Sequence, residues 1–143
     1  MKVRLIAAAL LGLGWSLLAP AEELTPGLWE ISLELQLPGA APQTALPTRV
    51  SQCLSAADAR DPSKILGAMA TPGASDCRYV DKTDSGNAFH FSMECAGTYQ
   101  LKLRGDLVHS STSMSGSIVT HAQIGGQAVE LPSRVSARRL GDC

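Results

Sequence analysis

Aromatic side chains are scarce in this 143-residue chain, which has two tryptophans, two tyrosines and two phenylalanines. Excess charge is lacking too: 12 Lys and Arg stand against 13 Asp and Glu. Without a positive field there is no electrostatic reason to bind nucleic acid or an anionic membrane surface. No C-x-x-C pair occurs, no G-x-S-x-G elbow, and no glycine-rich loop that opens a helix. Zinc knuckles, α/β-hydrolase nucleophiles and phosphate-binding loops are thereby set aside.

What is present begins with a leader. Lys2 and Arg4 give a positive start, Leu5 to Leu18 is an uncharged apolar run, and Ala19-Pro20-Ala21 is a small-x-small site before Glu22. This order predicts a cleaved signal peptide over residues 1–21. A spanning helix needs about 20 apolar residues, and Pro20 with Glu22-Glu23 ends the run early. No transmembrane anchor is expected after cleavage. Residues 22–143 are expected to form a single domain, with Lys2 and Arg4 lost and the formal charge changed from −1 to −3.

All four cysteines, Cys53, Cys77, Cys95 and Cys143, lie in the exported part, at intervals of 24, 18 and 48 positions. An even, widely spread set in an oxidising compartment predicts two disulfides rather than a metal site.

Leu28 to Leu37 alternates without a break, with Trp29, Ile31, Leu33, Leu35 and Leu37 on one face. Period two means a strand with one face on a core. Pro38 to Pro47 reads as a loop and Thr48 to Cys53 as a second strand. Ser55 to Met69 reads as an interrupted helix, started by Ser55–Asp58 and restarted at Asp61-Pro62, ending near Pro72-Gly73. Asp76 to Thr83 and Phe89 to Cys95 read as a hairpin about Gly86. In that register Cys77 faces Cys95, Arg78 faces Glu94 and Tyr79 faces Met93. A Cys77–Cys95 bridge is therefore favoured, and Cys53 pairs with Cys143 by elimination.

Gly105-Asp106 is read as a turn that places His109 opposite Lys102. Gly125-Gly126 is a two-residue hairpin turn that places His121 opposite Glu130. Pro132 marks an edge or a bulge, and Val135 to Leu140 closes the chain. The fold expected is mainly β: an antiparallel meander forming a curved sheet or half-open barrel, with one short helical insert and stabilising disulfides.

Chemistry is thinly represented. His121 with Glu130 reads as a surface ion pair. Soft-metal pairs, Met93 with His90 and Met114 with His109, are read as pointing to opposite faces. Ser110, Ser111, Ser113, Ser115 and Ser117 form a polar stripe, and Arg138-Arg139 a solvated pair. No catalytic residue, metal ligand or cofactor is assigned, and no enzyme activity is expected.

Several short motifs fall in a recognisable order: Pro26-Gly27-Leu28-Trp29-Glu30, Gln52-Cys53-Leu54, two central cysteines, and a terminal Arg138-Arg139-Leu140-Gly141-Asp142-Cys143. Over roughly Pro26 to Cys143 the chain resembles the exported bacterial family called domain of unknown function 3617. The resemblance implies a small periplasmic β-rich protein of Gram-negative type with no established activity, and it brings no catalytic residues. The expected role is a non-catalytic binding or accessory module of the cell envelope, for an apolar ligand or a partner protein. The competing expectation is a redox or metal-handling protein using free cysteine, histidine or methionine.

Overall fold

A computed structural model describes residues 22–36, 39, 47–66 and 74–143. The expected leader, most of the Pro38–Pro47 loop, the end of the helical stretch beyond Leu66 and the Pro72-Gly73 stop lie outside the described residues. Seven strands are described: β1 Gly27–Leu35, β2 Thr48–Leu54, β3 Ala74–Ser85, β4 Ala88–Gly97, β5 Lys102–His109, β6 Ser113–Ile124 and β7 Gln127–Gly141. They form one antiparallel sheet in the order β2-β1-β7-β6-β5-β4-β3. The protein is mainly β, a meander curled into a half-barrel, as its alternating patterns predict.

The curl follows from what the inner face carries. Trp29 and Ile31 of β1, Phe89 and Phe91 of β4, Leu107 of β5, Met114 and Ile118 of β6, and Val135 and Ala137 of β7 join one buried cluster. Each large side chain fully buried there contributes roughly 1.5–3 kcal/mol. A smaller cluster of Cys95, Leu101 and Ala122 lies beside it, with Met93 and Leu103 packed against both.

A short helical insert connects β2 to β3, the two outermost strands. It consists of a 3-10 turn, Asp58–Arg60, and one turn of α-helix, α1, Ser63–Leu66. The start signals are met: Asp58 N–H donates to Ser55 Oγ (3.2 Å), and Ser55 Oγ–H to the Asp58 carboxylate (2.7 Å). Asp61 accepts from the Ser63 N–H (3.0 Å) just beyond Pro62. The insert is tied to both outer strands. Gln52 of β2 donates to the Lys64 carbonyl (3.1 Å), and Lys82 of β3 pairs with Asp61 (2.8 Å). Leu54, Ala59, Ile65 and Leu66 thereby join the main core.

Several expected registers change. Gly105 and Asp106 lie inside β5, so His109 stands opposite Met114 and Lys102 opposite His121. The turn is at Ser110 to Ser113, where the Ser110 N–H donates to the Ser113 carbonyl (2.8 Å). The β3–β4 turn is Gly86-Asn87, and the expected register holds at Arg78–Glu94 and Tyr79–Met93, with Cys77 bonded to Cys95 beside them, while irregularities of β3 shift the pairs on either side. Strand β7 runs unbroken through Pro132. The Pro132 carbonyl accepts from the Gln36 N–H (2.8 Å), just past the last residue of β1. Its nitrogen faces that same side, where β1 has ended, so a missing donor costs the ladder little. The Gly125-Gly126 turn does form, with positive φ at both residues (59° and 78°), and His121 lies opposite Glu130.

Candidate functional site

Cys77 of β3 is bonded to Cys95 of β4, and Cys53 of β2 to Cys143, with Cα separations of 3.9 and 5.7 Å. No cysteine is free. Leu28 of β1 lies between Cys53 and Gly141 in register, so the second bridge pins β2 to the end of β7 across β1.

The outer face of the sheet carries the titratable groups, arranged as cross-strand pairs. Glu30 accepts from both Nε and Nη2 of Arg138 (3.1 and 2.9 Å), its register partner. Glu94 lies between Arg78 (3.1 Å) and Lys102 (3.5 Å). His121 reaches Glu130 at 3.6 Å, and His90 Nδ1 lies 2.6 Å from Asp106 Oδ1. In these last two pairs both side chains are more than half exposed, and such pairs contribute well under about 1 kcal/mol. Thr83 is the register neighbour of His90 on its other side. That gives a hydroxyl, an imidazole and a carboxylate in a row, yet on an open, solvated face with no converging backbone donors. It reads as surface.

One histidine differs. His109 is buried on the inner face beside Met114, and its Nε2 lies 3.1 Å from Asp84 Oδ1. The soft-metal pair, five positions apart and expected to point apart along one strand, points the same way, because the Ser110–Ser113 turn puts His109 on β5 and Met114 on β6 as direct register partners. With Nε2–H donating to Asp84, Nδ1 has no hydrogen-bond partner among the described residues. Among the described residues no three His, Cys, Asp or Glu come together as a metal site.

On the inner face Tyr79 packs edge-on against Phe91 (centroids 5.8 Å apart) and has Lys82 above its ring. Burial pushes the Tyr79 hydroxyl above its ordinary value, while a hydrogen bond with Ser63 opposes the change. The phenol is a packing group that anchors the insert to β3.

The outer strands differ in character. β3 breaks register twice, bends through a left-handed Asp76 (φ 49°), and exposes five charges, Asp76, Arg78, Asp81, Lys82 and Asp84. Such charges and bulges block further strand pairing. β2 pairs with β1 in unbroken register and exposes Thr48, Arg49 and Ser51, with one charge among them. Sequence patterning located both strands but gave no sign of which one would have a regular edge.

Among the described residues no helix is long and apolar enough to cross a membrane. No curated protein and no solved structure matches the chain. A match to the family described as "Protein of unknown function (DUF3617)" covers residues 24–143. That span takes in every described strand, both disulfides and the helical insert, and this chain belongs to that family.

Proposed function

We propose that the chain is exported to the periplasm by a cleaved leader, residues 1–21, and works there as a non-catalytic module that binds a partner protein of the envelope. The observation that carries this is the filled inner face. Trp29, Ile31, Phe89, Leu107 and Met114 are each at most 2% exposed, so the concavity of the sheet is occupied by the protein's own side chains. A small apolar ligand would have to displace them. Binding then falls to the rim, where β2 offers a regular row of backbone donors and acceptors to an extended segment of the partner. The bulged, densely charged β3 is the protected edge.

The test is photo-crosslinking in a Gram-negative envelope, with a crosslinking residue placed at Ser51 in β2 or at Asp81 in β3. A discrete adduct from position 51 and none from position 81 supports strand addition at β2. Equal adducts from both, or none from position 51, reject it.

A further inference from the structure

Two donors of different kinds meet where β5 gives way to β6. His109 and Met114 are direct register partners on the inner face, the last pair before the Ser110–Ser113 turn. The His109 side chain is 1% exposed and Met114 2%. Cβ atoms of facing strand residues stand about 4.5–5.5 Å apart. The flexible methionine can therefore bring its sulfur to the imidazole. The His109 backbone is held from β4, its N–H donating to the Asn87 carbonyl (2.8 Å). Asp84 takes the Nε2–H (3.1 Å), which fixes the tautomer and leaves Nδ1 with a lone pair. That lone pair is buried and has no hydrogen-bond partner among the described residues. Water would need two to four polar partners, and the inner-face neighbours of the pair, Leu107 and Ala137, are apolar and buried.

We propose that His109 Nδ1 and Met114 Sδ form a binding site for one soft monovalent cation, Cu(I), with Asp84 as the positioning residue behind the imidazole. A metal-bound imidazole almost always passes its other N–H to a carboxylate, a carbonyl or water, and Asp84 already fills that place. The thioether selects for a soft ion. Cu(I) is content with two donors, whereas Zn(II) takes four and Ca(II) or Mg(II) six or more oxygens. Among the described residues no group of three His, Cys, Asp or Glu could hold those ions. All four cysteines are bonded, so no thiolate competes for the copper. A buried cation needs a counter-charge, and the Asp84 carboxylate supplies one across the ring. The Asp84 side chain is 31% exposed, which puts solvent at the Nε2 end of the ring. The site lies apart from the β2 edge and does not depend on strand addition there.

The experiment uses the whole protein with both disulfides formed, under argon, and Cu(I) supplied as its coloured bicinchoninate complex. Loss of colour reads the copper withdrawn, and one Cu(I) per chain is expected. Met114→Leu, close in volume, and His109→Leu should each weaken uptake by more than about ten-fold, since changes one shell further out already cost that much. Asp84→Asn keeps an oxygen for the Nε2–H but loses the charge, and should weaken uptake by about ten-fold. Met93→Leu should leave it unchanged. Nitrogen NMR on the unmutated protein reads the site without any substitution. Cu(I) should move the His109 Nδ1 resonance away from its lone-pair position while Nε2 keeps its proton, and Zn(II) should do neither. Copper left with the indicator, copper withdrawn equally by Met114→Leu, or an unmoved Nδ1 resonance would each overturn the proposal.

Discussion

The ring of Phe91 lies against Gly105, its direct register partner on β5, in the space a side chain on residue 105 would occupy. A glycine that looks like turn chemistry in the sequence is thus a packing device inside a strand. Phe91 also stacks with Phe89 (centroids 5.6 Å apart) and meets Tyr79 edge-on, so its position is fixed from three sides. Gly105→Ala should therefore destabilise the fold by about 1–3 kcal/mol, the usual cost of overpacking a filled core. Urea unfolding with an unchanged slope and a lower midpoint is the expected result.

The same contact explains what was legible in the sequence and what was not. Period-two alternation gave the inner faces of β4 and of β1 as far as Leu33, because a half-buried strand writes its burial directly into the chain; Leu35 at the end of β1 is exposed, and Leu37 lies outside the described residues. Gly125-Gly126 was legible because a two-residue turn demands positive φ. Gly105-Asp106 misleads because glycine serves two purposes, and only the partner strand reveals which. That error reversed the facing of His109 and concealed its place beside Met114. The contacts of Glu22 to Thr25 were invisible: the segment has no periodicity, and it bonds to the Ala59, Gly86 and Ser111 carbonyls, all far along the chain.

The two disulfides should differ in worth. Cys53–Cys143 closes a separation of 90 residues and Cys77–Cys95 one of 18. In the chain-entropy picture the first contributes roughly 4–5 kcal/mol and the second about 3. Paired serine substitutions, Cys53→Ser with Cys143→Ser against Cys77→Ser with Cys95→Ser, should lower the urea midpoint in that order.

Asp61 should make the protein acid-sensitive at the insert. Burial alone would raise its carboxyl, but hydrogen bonds from Lys82 and Ser63 outweigh that and hold it below the ordinary carboxylate range. A carboxyl depressed in the folded state stabilises the fold above its unfolded value, near pH 4. That contribution is lost as pH falls through the lower folded value. Asp61→Asn keeps a capping oxygen and removes the charge. Its unfolding midpoint should lie below wild type at pH 7 and converge with it near pH 2.

Asp84 is the only partner of the buried His109 ring among the described residues. Asp84→Ala would leave both ring nitrogens without a hydrogen-bond partner, which should cost about 1–2 kcal/mol. Replacing His109 by Leu in the Asp84→Ala background should recover part of that loss. A double-mutant cycle on thermal midpoints measures the coupling.

The most direct measurement is the native mass of the protein isolated gently from the periplasm after thiol alkylation. The expected species is residues 22–143, carrying no alkyl label before reduction and no bound small molecule. A retained leader, a labelled cysteine or a stoichiometric lipid-sized adduct would contradict an exported, disulfide-closed protein whose inner face is filled by its own side chains.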